Sequence, residues 1–77
     1  MTKTQKAVFA DDIRKIFNRL DSLERRDTAT EKAAAAKRDY YARLDVYARA
    51  LLICGYYYNA VCNDAGDVVR VDILRKE

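Results

Sequence analysis

The sequence predicts an α+β fold, in which an antiparallel two-helix hairpin is followed by a C-terminal β-hairpin. Up to Cys54 the apolar residues recur at steps of three and four, as on one face of an α-helix. After Gly55 the pattern changes to a period of two, which is typical of strands. We therefore expect one domain over residues 1–77, with helices over about 3–26 and 29–54 and a β-hairpin over about 56–74.

The first helix is predicted by one apolar stripe and by a cap at its start. The stripe consists of Phe9, Ile13, Ile16, Leu20 and Leu23. Thr2 and Gln5 have the spacing of a capping box, in which each side chain accepts a hydrogen bond from the backbone N–H of the other residue. The helix is therefore expected to begin directly after Thr2.

The second helix carries the same two signals. Thr28 and Glu31 have the spacing of another capping box. Gly55 stands where a C-terminal helix cap belongs. The apolar stripe between these residues begins in an alanine run and continues through larger side chains: Ala33, Ala36, Tyr40, Leu44, Tyr47, Leu51 and Cys54.

The connection between the two helical stretches allows a hairpin or one long helix. If the chain folds back, the two stripes meet in register, with Phe9 beside Tyr47. The alternative is one continuous helix over residues 3–54 followed by the β-hairpin. That helix places Asp27 and Thr30 in its apolar seam, where unpaired polar groups are costly. We therefore predict the helical hairpin.

The last third of the chain has the pattern of two strands joined by a turn. Residues 63–66, Asn-Asp-Ala-Gly, have the composition of a turn between two β-rich runs. A four-residue loop there pairs Cys62 with Asp67 and Tyr57 with Asp72. This register gathers one apolar face, made of Tyr56, Tyr58, Ala60, Cys62, Val69, Val71 and Ile73. Because an isolated two-stranded hairpin is only marginally stable, we expect the end of the second helix to cover that face.

The lack of typical reactive side chains and motifs argues against catalysis and against a metal or cofactor site. The chain has no histidine, a single serine and no glycine-rich phosphate loop. Its acidic clusters, at residues 11–12 and 64–67, lack the spacing of calcium or paired-carboxylate sites. Cys54 and Cys62 have no metal-binding or redox spacing, and we expect two free, buried thiols. The expectation is a non-enzymatic protein without a cofactor.

Hydropathy and cysteine usage favour the cytosol. No apolar signal segment follows the N-terminus, and the longest uncharged stretch, residues 50–63, is too short to span a bilayer. Free thiols fit a reducing compartment. We therefore expect a cytosolic protein that has no membrane partner.

The charge balance allows a nucleic-acid partner without favouring one. Fifteen Lys and Arg stand against twelve Asp and Glu, which gives a net charge of +3. The basic residues best placed to contact phosphates are Arg14, Lys15, Arg19, Arg25 and Arg26. Acidic residues are interleaved with them, as on a solvated helix surface. Weak, sequence-independent nucleic-acid binding is therefore an alternative function.

Tyrosine is the most unusual component of the sequence. All six tyrosines lie in the second half of the chain, and tyrosine is enriched in binding hot spots. Tyr41 and Tyr57 are predicted to project away from the core. Tyr57 shares its face of the hairpin with Asn59, Arg70 and Asp72, a mixed patch suited to recognising a protein. An exposed tyrosine that belongs to no interface is the competing interpretation.

Self-association is expected from the apolar end of the second helix. Leu51, Leu52 and Ile53 make this helix apolar on all sides, which is more than one hairpin face requires. A domain of this length buries only about 60% of its unfolded surface, so a second subunit adds needed burial. We expect a homodimer or higher oligomer, through a four-stranded sheet or a four-helix bundle.

These observations lead to one main functional hypothesis and two alternatives. The main hypothesis is a small binding protein that occupies a surface of a larger protein or complex. The alternatives are the nucleic-acid binder and a structural oligomerisation module. In size, charge density and lack of catalytic residues the chain resembles small accessory proteins of phages and mobile elements, including inhibitors of host defence, although no motif carries that resemblance.

Overall fold

The computed structural model describes residues 1–25 and 31–76, and these form two helices followed by two antiparallel strands. The elements are α1 (Lys3–Arg25), α2 (Glu31–Ile53), β1 (Tyr56–Cys62) and β2 (Val68–Arg75). This order confirms the predicted α+β fold. The described ends of the elements lie within two residues of the expected ones.

The two helices pack on each other as a hairpin. The rings of Phe9 and Tyr47 meet edge to face, with centroids 5.3 Å apart and planes at 79°, as the predicted register requires. The longest dimension of the protein is 40 Å. One continuous helix over residues 3–54 would be about 78 Å long, so that alternative is wrong.

Local hydrogen bonds fix the described helix ends. The backbone N–H of Thr2 donates to Gln5 Oε1 at 2.9 Å, and the N–H of Gln5 donates to Thr2 Oγ1 at 3.1 Å, which confirms the capping box. Gly55 follows α2 with a φ of 83°, a conformation that favours glycine, and its N–H donates to the carbonyl of Leu52 at 3.0 Å. Thr28, the predicted cap of α2, lies outside the described residues.

The core lies between the helices and the inner face of the β-hairpin. Its buried members are Ile13, Ile16, Leu20, Leu44, Leu51 and Val71. α1 packs against β2 as well as against α2, while α2 packs against β1. The ring centroids of Phe17 and Tyr58 are 6.1 Å apart, and the Lys6 ammonium lies 4.6 Å from the ring centroid of Tyr56. α2 thus covers part of the hairpin, as expected, and α1 adds cover over β2, which the sequence did not predict.

The turn of the β-hairpin is organised by the side chain of Asn63. Its Oδ1 atom accepts hydrogen bonds from the N–H groups of Ala65 and Asp67, both at 3.0 Å. The N–H of Gly66 donates to the Asn63 carbonyl at 3.0 Å, and the φ of Gly66 is 85°. Because the N–H of Asn63 donates to the Asp67 carbonyl at 2.9 Å, the loop closes one residue later than predicted.

The strands consequently pair in a different register from the predicted one. Tyr57 faces Leu74, two positions beyond the predicted partner. The later closure of the loop contributes one residue to this shift. A β-bulge contributes the other, since Val69 is the extra residue between the partners of Val61 and Cys62.

A shift of two residues preserves most of the predicted inner face, because side chains alternate with a period of two. The inner positions that agree with the prediction are Tyr56, Tyr58, Ala60, Val71 and Ile73. Cys62 and Val69 are exposed instead, and Val68 packs against the core in place of Val69 because the bulge reverses the alternation.

Both cysteines are free, as expected, but their predicted burial is wrong. Cys54 follows the last residue of α2, and Cys62 lies beside the bulge at the turn end of β1. Both thiols are exposed. Within the described ranges, neither α1 nor α2 is long and apolar enough to cross a membrane.

Candidate interaction surface

The face of the β-hairpin turned away from the helices, called the outer hairpin face below, carries six side chains. These are Tyr57, Asn59 and Val61 from β1 and Arg70, Asp72 and Leu74 from β2. They form three directly opposed pairs, because Tyr57 faces Leu74, Asn59 faces Asp72, and Val61 faces Arg70. Two short strands therefore present a narrow strip that contains both apolar and polar side chains.

One end of this strip is apolar. Tyr57 is 48% exposed and Leu74 is 40% exposed, and cross-strand partners have Cβ atoms about 5 Å apart. Leu52 and the 87% exposed Ile53 precede Tyr57 by only four or five residues, across the Gly55 turn. Half of the eight large hydrophobic side chains that the described residues expose thus cluster at one end of the molecule.

The centre of the outer hairpin face is polar. The Nε atom of Arg70 lies 3.0 Å from Asp72 Oδ1 in an ion pair between residues two apart on the same strand. Both side chains are solvent-exposed enough that such a pair contributes between zero and about 1 kcal/mol to stability. Asn59, directly opposite Asp72, is exposed as well. These polar groups remain available to an external partner.

The structure brings together four of the five residues predicted to bind a protein, namely Tyr57, Asn59, Arg70 and Asp72. It does not bring Tyr41 to them. Tyr41 is exposed on α2, where it borders a depression of about 160 Å³ next to Gly66 at the turn end of the hairpin. Tyr57 lies at the opposite end of β1, roughly 17 Å away along the strand.

Two exposed residues were missed by the sequence interpretation. Leu74 joins Tyr57 only because of the shifted register, and the sequence carries no clear signal for the bulge that produces the shift. Val46 is 64% exposed on α2. Its signal was present, since a β-branched apolar residue outside the core stripe of an amphipathic helix is unusual.

The predicted oligomer interface is divided by the structure. Leu51 has no exposed surface and belongs to the intramolecular core, so its assignment to a contact between chains is corrected. Leu52 and Ile53 are exposed at the end of α2. Only these two residues of the predicted set are accessible to a second chain.

The basic residues of α1 are partly neutralised. Arg14 Nη2 lies 2.8 Å from Asp11 Oδ1, and Lys15 Nζ lies 3.0 Å from Asp11 Oδ2. Arg14 and then Lys15, by hydrogen bonding, hold the pKa of the Asp11 carboxyl below its ordinary value. The side chain of Arg25 and the whole of Arg26 lie outside the described residues.

A shallow groove of about 220 Å³ runs between the two helices. Its charged lining consists of Asp12, Lys15, Arg19 and Arg43, and Tyr40 and Tyr47 add aromatic surface. The hydroxyl of Tyr47 donates to Asp12 Oδ2 at 2.9 Å, and this hydrogen bond, with burial, raises the pKa of Tyr47. Arg43 pairs with Asp39 at 3.2 Å. Arg19 has no carboxylate partner among the residues that the structure describes.

Potential metal ligands do not cluster in the described ranges, where no group of three or more Cys, Asp or Glu side chains is suited to hold an ion. Comparison of the chain with family models, with curated proteins and with solved structures returned no match.

Proposed function

We propose that this protein is a non-enzymatic binding module that covers a surface of a larger protein or complex through its outer hairpin face. The observation that carries the proposal is the exposed pair Tyr57 and Leu74 beside the polar group of Asn59, Arg70 and Asp72. Steric inhibition of the partner is the simplest mechanism. It agrees with the resemblance, in size, charge density and lack of catalytic residues, to small accessory proteins of phages and mobile elements, including inhibitors of host defence.

The chemistry of the outer hairpin face supports a protein partner. Protein interfaces combine apolar side chains, often aromatic, with polar ones, and Tyr and Arg are frequent hot-spot residues. Tyr57 supplies a large aromatic surface with a polar tip, and Arg70 supplies a charged group held in place by Asp72. The free, exposed thiols of Cys54 and Cys62 fit a cytosolic setting, where they stay reduced.

The proposal is tested by replacing Tyr57 and Arg70 together with alanine. Both side chains are exposed, so we expect the circular dichroism spectrum and the melting temperature to stay close to those of the natural chain. Affinity capture from the source cells, read by quantitative mass spectrometry, identifies a specifically enriched protein. Loss of two hot-spot side chains is expected to weaken its binding by at least about 30-fold, the equivalent of about 2 kcal/mol.

The matched control replaces Arg38 and Tyr41 with alanine. These are again one exposed tyrosine and one exposed arginine, but they lie on α2, away from the outer hairpin face. We expect this variant to retain full binding. Equal capture by both double variants, or loss only in the control, would remove the outer hairpin face from consideration.

Nucleic-acid binding is the second candidate function, supported by Arg19 in the groove between the helices. Arg19, Lys15 and Arg43 line the same groove, and a tyrosine beside them offers a surface on which a base can stack. Three phosphate contacts predict an affinity for duplex DNA that falls about 40-fold between 50 and 200 mM salt. A gel-shift titration at low salt, with Arg19→Ala as the comparison, tests this candidate, and absence of any shift dismisses it.

A further inference from the structure

The two edges of the β-hairpin differ in how they are protected against further strand pairing. β1 is seven residues long, has no charged residue and no proline, and contains no bulge. Natural sheets usually protect exposed edges with charges, proline or bulges. β2 has such features, because it contains the bulge at Val69 and the charged residues Arg70, Asp72 and Arg75. The free edge of β1 is therefore the open side of this sheet.

The backbone groups on the free edge of β1 are unoccupied within the part of the chain that the structure describes. The sheet has two strands, so β1 pairs with β2 on one side only. The described hydrogen bonds join no other backbone or side chain to the backbone of Tyr56–Cys62. A further strand can thus be added without displacing an existing hydrogen bond.

We propose that β1 pairs with β1 of a second copy of this chain, antiparallel about a two-fold axis at Asn59, and so forms a four-stranded sheet. The sequence of β1 is self-complementary about this residue. Three tyrosines precede Asn59, and three smaller residues, Ala60, Val61 and Cys62, follow it. Antiparallel pairing therefore sets the bulky half of each strand against the small half of the other.

The individual pairs in this register are favourable. Tyr58 is opposite Ala60 of the second copy, and both positions belong to the inner face. Tyr57 is opposite Val61 of the second copy on the outer face, an aromatic residue beside a β-branched one. No like charges oppose each other, because β1 carries none. The inner faces of both copies stay on the same side of the enlarged sheet, which keeps both cores intact.

An independent observation on α2 supports a second copy rather than an extended peptide as the occupant. α2 packs against β1, so the two-fold axis brings the α2 helices of the two copies side by side over the central strands. α2 exposes Val46 and Ile53, which are seven residues apart and share one stripe of the helix. A neighbouring α2 covers apolar surface of this kind, whereas a single added strand does not reach the helix layer.

The first measurement is the mass in solution, and it does not depend on any partner protein. Light scattering coupled to size exclusion at micromolar concentrations is expected to give twice the 8.9 kDa mass of one chain. Asn59→Lys places two like charges opposite each other at the axis, and we expect at least a tenfold weaker dimer with unchanged circular dichroism. Asn59→Asp is expected to weaken the dimer at least as much, because the new carboxylate also faces Asp72 of its own chain.

The charge-exchange experiment identifies the axis itself. An equimolar mixture of Asn59→Lys and Asn59→Asp is expected to restore a dimer of the two different chains, because the opposed charges now attract. The matched control, Val69→Lys, adds the same charge at an exposed position of β2 and is expected to remain a dimer of natural strength.

A natural chain that stays a single copy up to about 100 µM, where a stable dimer with a micromolar or lower dissociation constant is fully formed, would overturn the proposal. So would a dimer that both Asn59 variants leave intact, since it would use another surface. A single-copy protein that binds an extended peptide along β1 would equally replace the second copy as occupant. Formation of a heterodimer in the equimolar mixture also shows that loss of the dimer in each variant alone is not caused by a folding defect.

Discussion

Leu51 and Leu52 are adjacent leucines of α2 in opposite environments. Leu51 is 0% exposed and packs in the core, whereas Leu52 is 54% exposed. Replacing a buried leucine by alanine loses both its transfer free energy and the contacts around the resulting cavity, at a cost of 2–5 kcal/mol, and we expect about 3 kcal/mol for Leu51→Ala. Leu52→Ala removes methyl groups that are half in water, and we expect less than about 1 kcal/mol.

The difference is large relative to the stability of the whole domain. A chain of 77 residues has a free energy of unfolding of about 4–12 kcal/mol, so Leu51→Ala removes a quarter or more of it. With an unfolding entropy of about 160 cal/mol/K for this length, 3 kcal/mol lowers the melting temperature by about 19 °C. The corresponding shift for Leu52→Ala is less than about 6 °C.

Urea unfolding followed by far-ultraviolet circular dichroism measures both variants against the natural chain. With a urea dependence near 1 kcal/mol/M, the midpoint falls by about 3 M for Leu51→Ala and by less than about 1 M for Leu52→Ala. Equal shifts for the two leucines, or a larger shift for Leu52→Ala, would refute the orientation of α2 described here. A cost of Leu52→Ala that grows with protein concentration would instead locate Leu52 in a contact between copies.

Three further predictions concern single hydrogen bonds and backbone conformations, each read by the same urea titration. Tyr47→Phe removes the hydroxyl that donates to Asp12 and is expected to cost about 1 kcal/mol at pH 7. Because the pKa of Tyr47 is raised in the folded protein, its contribution is fully present below the ordinary value of 10 and is lost as the pH rises through the folded pKa. The natural chain is therefore expected to lose more stability than the variant as the pH rises above 10. Gly66→Ala is expected to cost about 1 kcal/mol through its φ of 85° alone, since no atom lies within 4 Å of the added methyl group; no change would contradict the left-handed turn. Asn63→Ala removes the acceptor of two backbone N–H groups and is expected to cost about 1–2 kcal/mol, while Asp64→Ala, in the same turn and exposed, is expected to change little.

The helices could be predicted because their determinants are local. The capping box of Thr2 and Gln5 needs only residues within one turn, and the φ of Gly55 follows from the lack of a Cβ atom. The apolar stripes of the two helices meet in register when the chain folds back. The pairing of Phe9 with Tyr47 follows from that register.

The register of the β-hairpin could not be predicted with the same reasoning. The residues 63–66 do form the turn, but Asn63 also bonds to Asp67 and closes the loop one residue later. The bulge at Val69 adds a second displacement, for which the sequence carries no local signal.

The candidate surface was predictable to the extent that it depends only on the alternation of side chains between the two faces of each strand. Since a shift of two residues leaves the side chains beyond the bulge on their predicted faces, Tyr57 and Arg70 were assigned correctly to the outer side in spite of the wrong register. The position of Leu74 opposite Tyr57 depended on the register itself and was not predicted. The exposure of Cys54 and Cys62 was not predicted, because free cysteine usually packs as a small apolar residue.

The extra residue in β2 has a consequence for how the chain tolerates changes in its length. Removing Val69 takes away the unpaired residue and leaves Val71 and Ile73 facing the core as before. Removing or inserting one residue between Val71 and Ile73 changes their spacing from even to odd, so one of these two side chains turns to water. Among natural variants, single-residue deletions in this strand are therefore expected at the bulge and selected against beyond it.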